Sequence, residues 1–369
     1  MSELYIGLMS GTSMDAVDAV LVDFSCSPLK LIASCSLPVP AEIKKNLLKL
    51  CSPGDDEINH MGRLDNQTGL LFAEAANMLV ANTKIAISDI KAIGSHGQTI
   101  RHEPVGKSPY TLQIGNPFVI AQHTGIMTIA DFRRADIAVG GQGAPLAPAF
   151  HNDVFRKTDT DCVVLNIGGM ANITFLPADL TAPVTGFDTG PGNVLMDYWC
   201  MKHQHKPFDE DGQWAASGKV QKVLLQKFLA DQYFKQMPPK STGRERFNEK
   251  WLSSFSETGK LAPEDVQATL CAFTAESIAL DIERYQHAGS VIVCGGGAYN
   301  QHLMQVLSQR LPNHHIESSK AHGIEPDWVE AIAFAWLARR TMHHQAGNLP
   351  AVTGANRSVI LGAIYPAPC

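Results

Sequence analysis

An aspartate within Gly186-Phe187-Asp188-Thr189-Gly190-Pro191-Gly192-Asn193 is well placed to move a proton. The apolar run Val184 to Phe187 reads as a strand, and Pro191-Gly192-Asn193 reads as the turn that starts a helix. Asp188 therefore stands at a strand end beside a helix start. A carboxylate there can act as general base toward a hydroxyl or water, and the helix start can receive a phosphate. Capping the helix is the plain structural alternative. Asp-Thr-Gly also suggests an aspartic protease, but that chemistry needs two such carboxylates sharing a proton, and the tripeptide occurs once.

A phosphate would need more than one wall. Met9 to Asp18, MSGTSMDAVD, lies between the runs Leu4 to Leu8 and Ala19 to Phe24, so it reads as the tip of a β-hairpin. Gly11 can take positive φ, and Ser10, Thr12 and Ser13 bring hydroxyls beside free backbone N–H groups, which together can cradle an anion. Gly168-Gly169, between Cys162–Ile167 and Ala171–Leu176, makes a second glycine-tipped hairpin. Gly295-Gly296-Gly297 follows a strand, and its small residues would let a flat ring or a ribose approach the backbone; the alternative is a tight turn. Two nucleotide motifs are excluded: Gly106-Lys107-Ser108 has Arg101 where a P-loop needs its first glycine, and Gly295 and Gly297 are followed by Asn300 where the dinucleotide fingerprint needs a third. Arg133 and Arg134, in the glycine- and proline-rich stretch Asp131 to Pro148, could pair with an anionic substrate group. That stretch otherwise reads as a linker. Glu330, within EPDWVEAIAFAW, is either a helix-edge surface group or a polar contact to a ligand. The paired histidines lack Cys or carboxylates at metal-ligand spacing.

The elements that must carry these residues fall into two series. In the first, the opening hairpin is followed by a strand at Leu31–Leu37, helices at Ala41–Leu50 and Glu57–Asn82, and a strand at Ala92–Ser95. A loop to Pro109, a short strand at Tyr110–Gln113, a helix from Pro117 and a strand at Ile126–Ala130 complete it. The second begins at Asp161 with three strands and, after a long insertion, continues with a helix at Pro263–His287. A strand, a helix, a strand and a last helix at Asp327–His344 follow. The common order predicts a duplicated α/β domain with a cleft between the halves. With 369 residues, two domains fit. A net charge of -6 without a basic block argues against nucleic acid and anionic membrane as partners and for a small molecule. Eight scattered cysteines without CxxC spacing, and no apolar run long enough for a membrane span, predict a cytoplasmic protein.

In this order, LMSGTSMDAVDAVLVDF, GSHGQTI, DFRRADIAVGGQGAPL, LNIGGMANIT, GFDTGPGN and DWVEAIAFA closely resemble the anhydro-N-acetylmuramic acid kinases, from about residue 5 to about 365. Ala16 stands where family members often carry Gly. The resemblance implies two ribonuclease H-like domains of the sugar kinase, heat-shock chaperone and actin type, each a mixed sheet with helices, flanking a cleft. They would span 1–133 and 134–352, with a tail, 353–369, returning to the first. It implies ATP and Mg2+ as cofactors, 1,6-anhydro-N-acetylmuramic acid as substrate, a homodimer, and a role in cell-wall recycling. Asp188 would be the base. Gly11, Thr12, Ser13, Met14, Asp15, Ala16, Val17 and Asp18 would hold the phosphates, with Asp15 or Asp18 reaching the metal through water. Gly168 and Gly169 would form the second phosphate turn, and Gly295, Gly296 and Gly297 would lie near the adenosine. Arg133 or Arg134 would meet the lactyl carboxylate, and Ser95, Gln98, Thr99 and Glu330 the sugar.

Overall fold

A computed structural model describes residues 2–11 and 13–368. The chain folds as two units, Met1–Phe150 with Trp328–Cys369, and His151–Asp327. In the first, β1 (Leu4–Met9) and β2 (Ala16–Asp23) form an antiparallel hairpin, and β3 (Lys30–Pro38) continues it. Every residue of β1 is buried, as a central strand demands, whereas β3 alternates between exposed and half-buried positions at the sheet edge. Helices α1 (Ala41–Leu50) and α2 (Glu57–Ala81) lead to β4 (Ile90–Ser95), parallel to β1. A small hairpin of β5 (Gln98–Glu103) and β6 (Tyr110–Ile114) follows, then α3 (Pro117–Thr124), β7 (Thr128–Ala130), α4 (Arg134–Ala138) and α5 (Ala147–Val154).

The second unit opens with β8 (Cys162–Ile167), β9 (Met170–Leu176) and β10 (Thr185–Pro191), consecutive antiparallel neighbours. Helix α6 (Val194–Gln204) leads into an insertion carrying α7 (Gln213–Ser217), α8 (Lys222–Leu229) and α9 (Glu249–Ser253). The long α10 (Pro263–Glu283) starts on Pro263 with Glu264 and Asp265 in its first turn, the N-terminal signature expected of it. Then come β11 (Gly289–Cys294), parallel to β8, α11 (Gln301–Arg310) and β12 (His314–Ser318). The chain returns to the first unit with α12 (Val329–Met342), α13 (Pro350–Thr353) and β13 (Ala363–Tyr365).

The first sheet has the order β13-β7-β4-β1-β2-β3 and the second β10-β9-β8-β11-β12. Counted along the chain within each main sheet, leaving out the β5–β6 hairpin, both run third, second, first, fourth, fifth, with the first three antiparallel and the next two parallel to the first, and β13 adds a sixth strand at the edge of the first sheet. That is the ribonuclease H-like arrangement, present twice. Each sheet has its own core: Ile6, Leu8, Phe72 and Leu79 in the first, Leu165, Phe273, Ile278 and Val293 in the second.

The sequence placed the breaks at 133/134 and 352/353; in the structure they fall at 150/151 and 327/328. The reason lies in α12. A Cβ on Gly7 would overlap the Ala331 carbonyl, and one on Gly94 the Phe334 carbonyl, so the helix backbone rests directly on β1 and β4. β13 pairs with β7 in the same sheet. Two stretches read as loops carry elements: Gln98–Glu103 is a strand, and within 131–148 lie α4 and the start of α5.

Candidate active site

Ligands of open α/β sheets gather beyond the carboxyl ends of the parallel strands. In the first unit those ends are Met9 and Ser95, and β2 begins at Ala16, so the hairpin tip is shorter than the sequence suggested. Ala16, Val17 and Asp18 are strand residues, with Val17 buried and Asp18 opposite Met9. Thr12 lies outside the described residues. Met14 takes a positive φ of 54° and its N–H reaches back to the Gly11 carbonyl at 3.1 Å, while Ser13 occupies the turn between. Nothing stands within 4 Å of where a Gly11 Cβ would be. Asp15 pairs with Lys44, and Asp18 accepts from the Ser36 hydroxyl at 2.7 Å.

Beside that tip runs Ser95-His96-Gly97-Gln98-Thr99. The His96 N–H donates to the Leu8 carbonyl at 3.0 Å, and Gln98 Nε2 reaches the Gly11 carbonyl at 3.5 Å. Thr99 Oγ1 accepts from Gln113 Nε2 at 3.1 Å. Three buried oxygens here, Ser10 Oγ, Ser95 Oγ and Gln98 Oε1, have no hydrogen-bond partner among the described residues. Native folds rarely leave such groups unsatisfied, so they mark where a polar ligand fits.

The two arginines part company. Arg133 Nη2 donates to His96 Nε2 at 2.8 Å and Nη1 to the Gly143 carbonyl at 2.8 Å. Burial lowers its pKa to about 10 against the opposing pull of Glu330, and burial with the Arg133 charge holds the His96 imidazole well below its usual range, a neutral acceptor. Glu330, in the first turn of α12, keeps solvent access although protein surrounds it. Crowding pushes its carboxyl upward, Arg133 pulls it down and Asp18 adds to the rise. Arg134 is exposed and pairs with Asp131 at 3.4 Å. The stretch 131–148 is no loose linker, because the buried Asp136 accepts from Gly143 N, Asn348 Nδ2 and Thr353 Oγ1 at 2.6–2.8 Å.

In the second unit, the tip Gly168-Gly169 is tied to the turn after β10. The N–H groups of Gly192 and Val194 donate to the Gly169 carbonyl, and that of Asn193 to Gly168, at 2.8–3.1 Å. A Cβ on Gly192 would overlap the Gly168 carbonyl, so glycine is required there. Gly295, at a φ of 77°, lies against Asn166 and Ile167, while the space over Gly296 is open and Gly297 packs on Ile167. The two glycine turns thus adjoin.

Asp188 sits in β10 just before a bulge, and the insertion holds it. Its N–H donates to the Lys240 carbonyl at 3.2 Å and its carbonyl accepts from Tyr233 Oη at 2.6 Å. Its carboxylate Oδ2 accepts from Ser241 Oγ at 2.9 Å and from the Thr242 N–H at 3.0 Å, whereas Oδ1 accepts no hydrogen bond among the described residues. Burial pushes the carboxyl above its usual range, against those two hydrogen bonds. Lys240 anchors the segment through a buried pair with Asp281 at 2.7 Å, and Asp281 also binds Arg284 at 2.7 Å. Sequence reasoning missed Lys240, Ser241, Thr242 and His96. The signal was there in Lys240-Ser241-Thr242-Gly243-Arg244, which has the hydroxyls, glycine and cations of an anion site inside a stretch treated only as an insertion.

Two sheets of one ribonuclease H-like order, each with a glycine-rich tip at the carboxyl end of its first strand, define a protein of the sugar kinase, chaperone and actin class. The profile of the anhydro-N-acetylmuramic acid kinase family matches residues 3–367. An anhydro-N-acetylmuramic acid kinase of Shewanella sp. (strain ANA-3) is 54% identical over 366 residues, 98% of each chain. One of Coxiella burnetii (strain Dugway 5J108-111) is 52% identical over 364 residues, 98% of this chain and 97% of that one. A solved structure, component A of the (R)-2-hydroxyglutaryl-CoA dehydratase of Acidaminococcus fermentans, aligns over 90% of this chain and 96% of that one, with a TM-score of 0.47 and 12% identity. The chain belongs to the anhydro-N-acetylmuramic acid kinase family, and it is a kinase, a phosphotransferase with a small sugar as substrate. No helix among the described residues is long and apolar enough to cross a membrane.

Proposed function

We propose that this kinase couples phosphoryl transfer from ATP to hydrolytic opening of 1,6-anhydro-N-acetylmuramic acid, with Asp188 as the base. Water adds to the anomeric carbon as its proton passes to Asp188 Oδ1, the bond from that carbon to O6 breaks, and O6 takes the γ-phosphoryl group. The products are N-acetylmuramic acid 6-phosphate and ADP. One observation carries the reading: Asp188 has one carboxylate oxygen fixed by Ser241 and Thr242 and the other left for a proton, with a pKa moved toward the working range by burial.

The residues present fit a nucleoside triphosphate. The open space over Gly11 and Gly296 lets a ligand approach the backbone, the first for phosphates and the second for the adenosine. Magnesium bound with ATP would offset the negative charge of the phosphates, with Asp15 or Asp18 the residues that would reach it through water. Arg133 is the better partner for the lactyl carboxylate, since it is half-buried and feels the charge of Glu330, while Arg134 is exposed and paired with Asp131. Ser95, Gln98, Thr99 and Glu330 would hold the sugar, the unpartnered oxygens of Ser95 and Gln98 first among them. A cytoplasmic homodimer serving cell-wall recycling completes the proposal. Seven free cysteines among the described residues accord with a reducing compartment.

The Asp188→Asn variant tests the reading. It should fold, bind the anhydro sugar and lose turnover by about 10³-fold or more, since base and orientation go together. Mass spectrometry of the wild-type product made in labelled water should place the label on the anomeric carbon. Near-normal turnover of the variant, or product without label, would sink the mechanism.

A further inference from the structure

We propose that Arg244 is a further phosphate-contacting residue, its guanidinium gripping the terminal phosphates of the nucleotide at the Gly168-Gly169 turn. The inference rests on the reading of that turn as the second phosphate site.

Four features of the second unit lead there. The Arg244 guanidinium lies over the turn, with Nη2 at 3.7 Å and Nε at 3.9 Å from where a Gly169 Cβ would be. The turn's carbonyls are taken by Gly192, Asn193 and Val194, but the Gly169 N–H donates no hydrogen bond among the described residues, so a donor points out beside the cation. The backbone around Arg244 is fixed on both sides. Lys240 is buried against Asp281 and Ser241 and Thr242 grip Asp188, while Arg246 pairs with Asp231 and Asn248 Nδ2 donates to the Arg244 carbonyl at 2.9 Å. The side chain itself is unspent. Among the described residues its guanidinium makes no hydrogen bond and has no carboxylate oxygen within 4.0 Å, whereas its neighbours Arg246 and Arg284 are paired.

One carboxyl that feels the Arg244 charge is Asp197, in the first turn of α6. Burial raises that carboxyl to about 7, the Arg244 charge opposing, so at neutral pH it neutralises the guanidinium only in part. An unpaired guanidinium on a held backbone, beside a free N–H, is the donor set that phosphate oxygens take, two at a time. Its segment also holds Asp188, so the same few residues that aim the base would aim the phosphoryl group.

The test measures binding by calorimetry of adenosine, ADP and a non-hydrolysable ATP analogue with Mg2+, and of the anhydro sugar, to full-length wild type, Arg244→Gln and Arg244→Lys. Arg244 is exposed, so both variants should keep wild-type circular dichroism. The expected result is adenosine and sugar affinity unchanged in Arg244→Gln, ADP and ATP-analogue affinity down about 10- to 100-fold, and partial recovery in Arg244→Lys, which keeps the charge but not the fork. Weaker sugar binding with normal nucleotide binding would mean that Arg244 reads the substrate carboxylate, and equal loss across adenosine and ADP would mean a structural role; either overturns the proposal. If wild type gains nothing from adenosine to ATP analogue, the phosphate-turn reading fails and takes the proposal with it.

Discussion

Asp188 uses its two oxygens differently, and the difference comes from outside its own motif. Burial pushes the carboxyl above its usual range. The Ser241 hydroxyl and the Thr242 N–H favour the charged form and offset part of that shift. Removing one donor should therefore raise the pKa further. In Ser241→Ala the acidic limb of the kcat/KM profile should move to higher pH by about half a unit to one unit, the value of one hydrogen bond to a charged group discounted for the exposure of Ser241. Ser241→Thr should restore the wild-type limb. An unmoved limb with lowered kcat would show that Ser241 acts on something other than the base. Arg133 illustrates the same division of labour, because His96 gives it an acceptor only while the imidazole is neutral, and burial beside the arginine keeps it so.

At the scale of elements, α12 decides where Glu330 stands. Its backbone lies on β1 and β4 because Gly7 and Gly94 have no side chain, so the start of the helix is brought down to the strand ends that carry Ser10 and Ser95. Gly7→Ala would push a methyl into the Ala331 carbonyl. The expected cost is about 1–3 kcal/mol of stability, with a raised KM for the sugar and a smaller effect on kcat, read by denaturant unfolding and steady-state kinetics. Unchanged stability would mean that the helix sits farther from the sheet. The strands and long helices were legible because their apolar periods are strong: all of β1 is buried, and Pro263-Glu264-Asp265 announces α10. The motif glycines and Asp188 stand out in the sequence because few residue types can make such turns or serve as the base proposed above. What escaped was whatever depends on distant chain. β5 is a short strand with one aliphatic residue, Ile100, and an exposed C-terminal end, and it forms by pairing with β6. The stretch around Arg134 looks like a linker until Asn348 and Thr353 arrive, more than two hundred residues on, to satisfy Asp136. The hold of Ser241 on Asp188 spans 53 residues of sequence and leaves no local pattern.

For the molecule as a whole, the groups displaced from their usual pKa fall into two sets with opposite consequences. His96 and His151 are buried neutral, with His151 brought down to about 3, so the unfolded chain takes up protons first as pH falls and these histidines weaken the fold in acid. Asp188, Asp197, Asp281 and Glu330 are raised, chiefly by burial. A carboxyl whose folded pKa lies above its unfolded value holds its proton more tightly in the fold, so its contribution to stability grows as pH falls through the folded pKa. Because the sets oppose each other, the melting temperature of the wild type is a poor measure of either, and a difference between variants is the sharper one. Asp197→Asn removes one carboxyl from the second set at nearly constant shape. With Asp197 near pKa 7, the ionised form is disfavoured in the fold above that pH, so the variant should be the more stable protein at pH 8. Between pH 8 and pH 5 that advantage should shrink by about 1–2 kcal/mol, after the linkage value is reduced for partial solvent access. Urea unfolding of both proteins across this range is the measurement. An advantage that stays constant with pH would show that Asp197 keeps an ordinary carboxyl pKa, in which case its charge would stand fully ionised toward Arg244 at neutral pH.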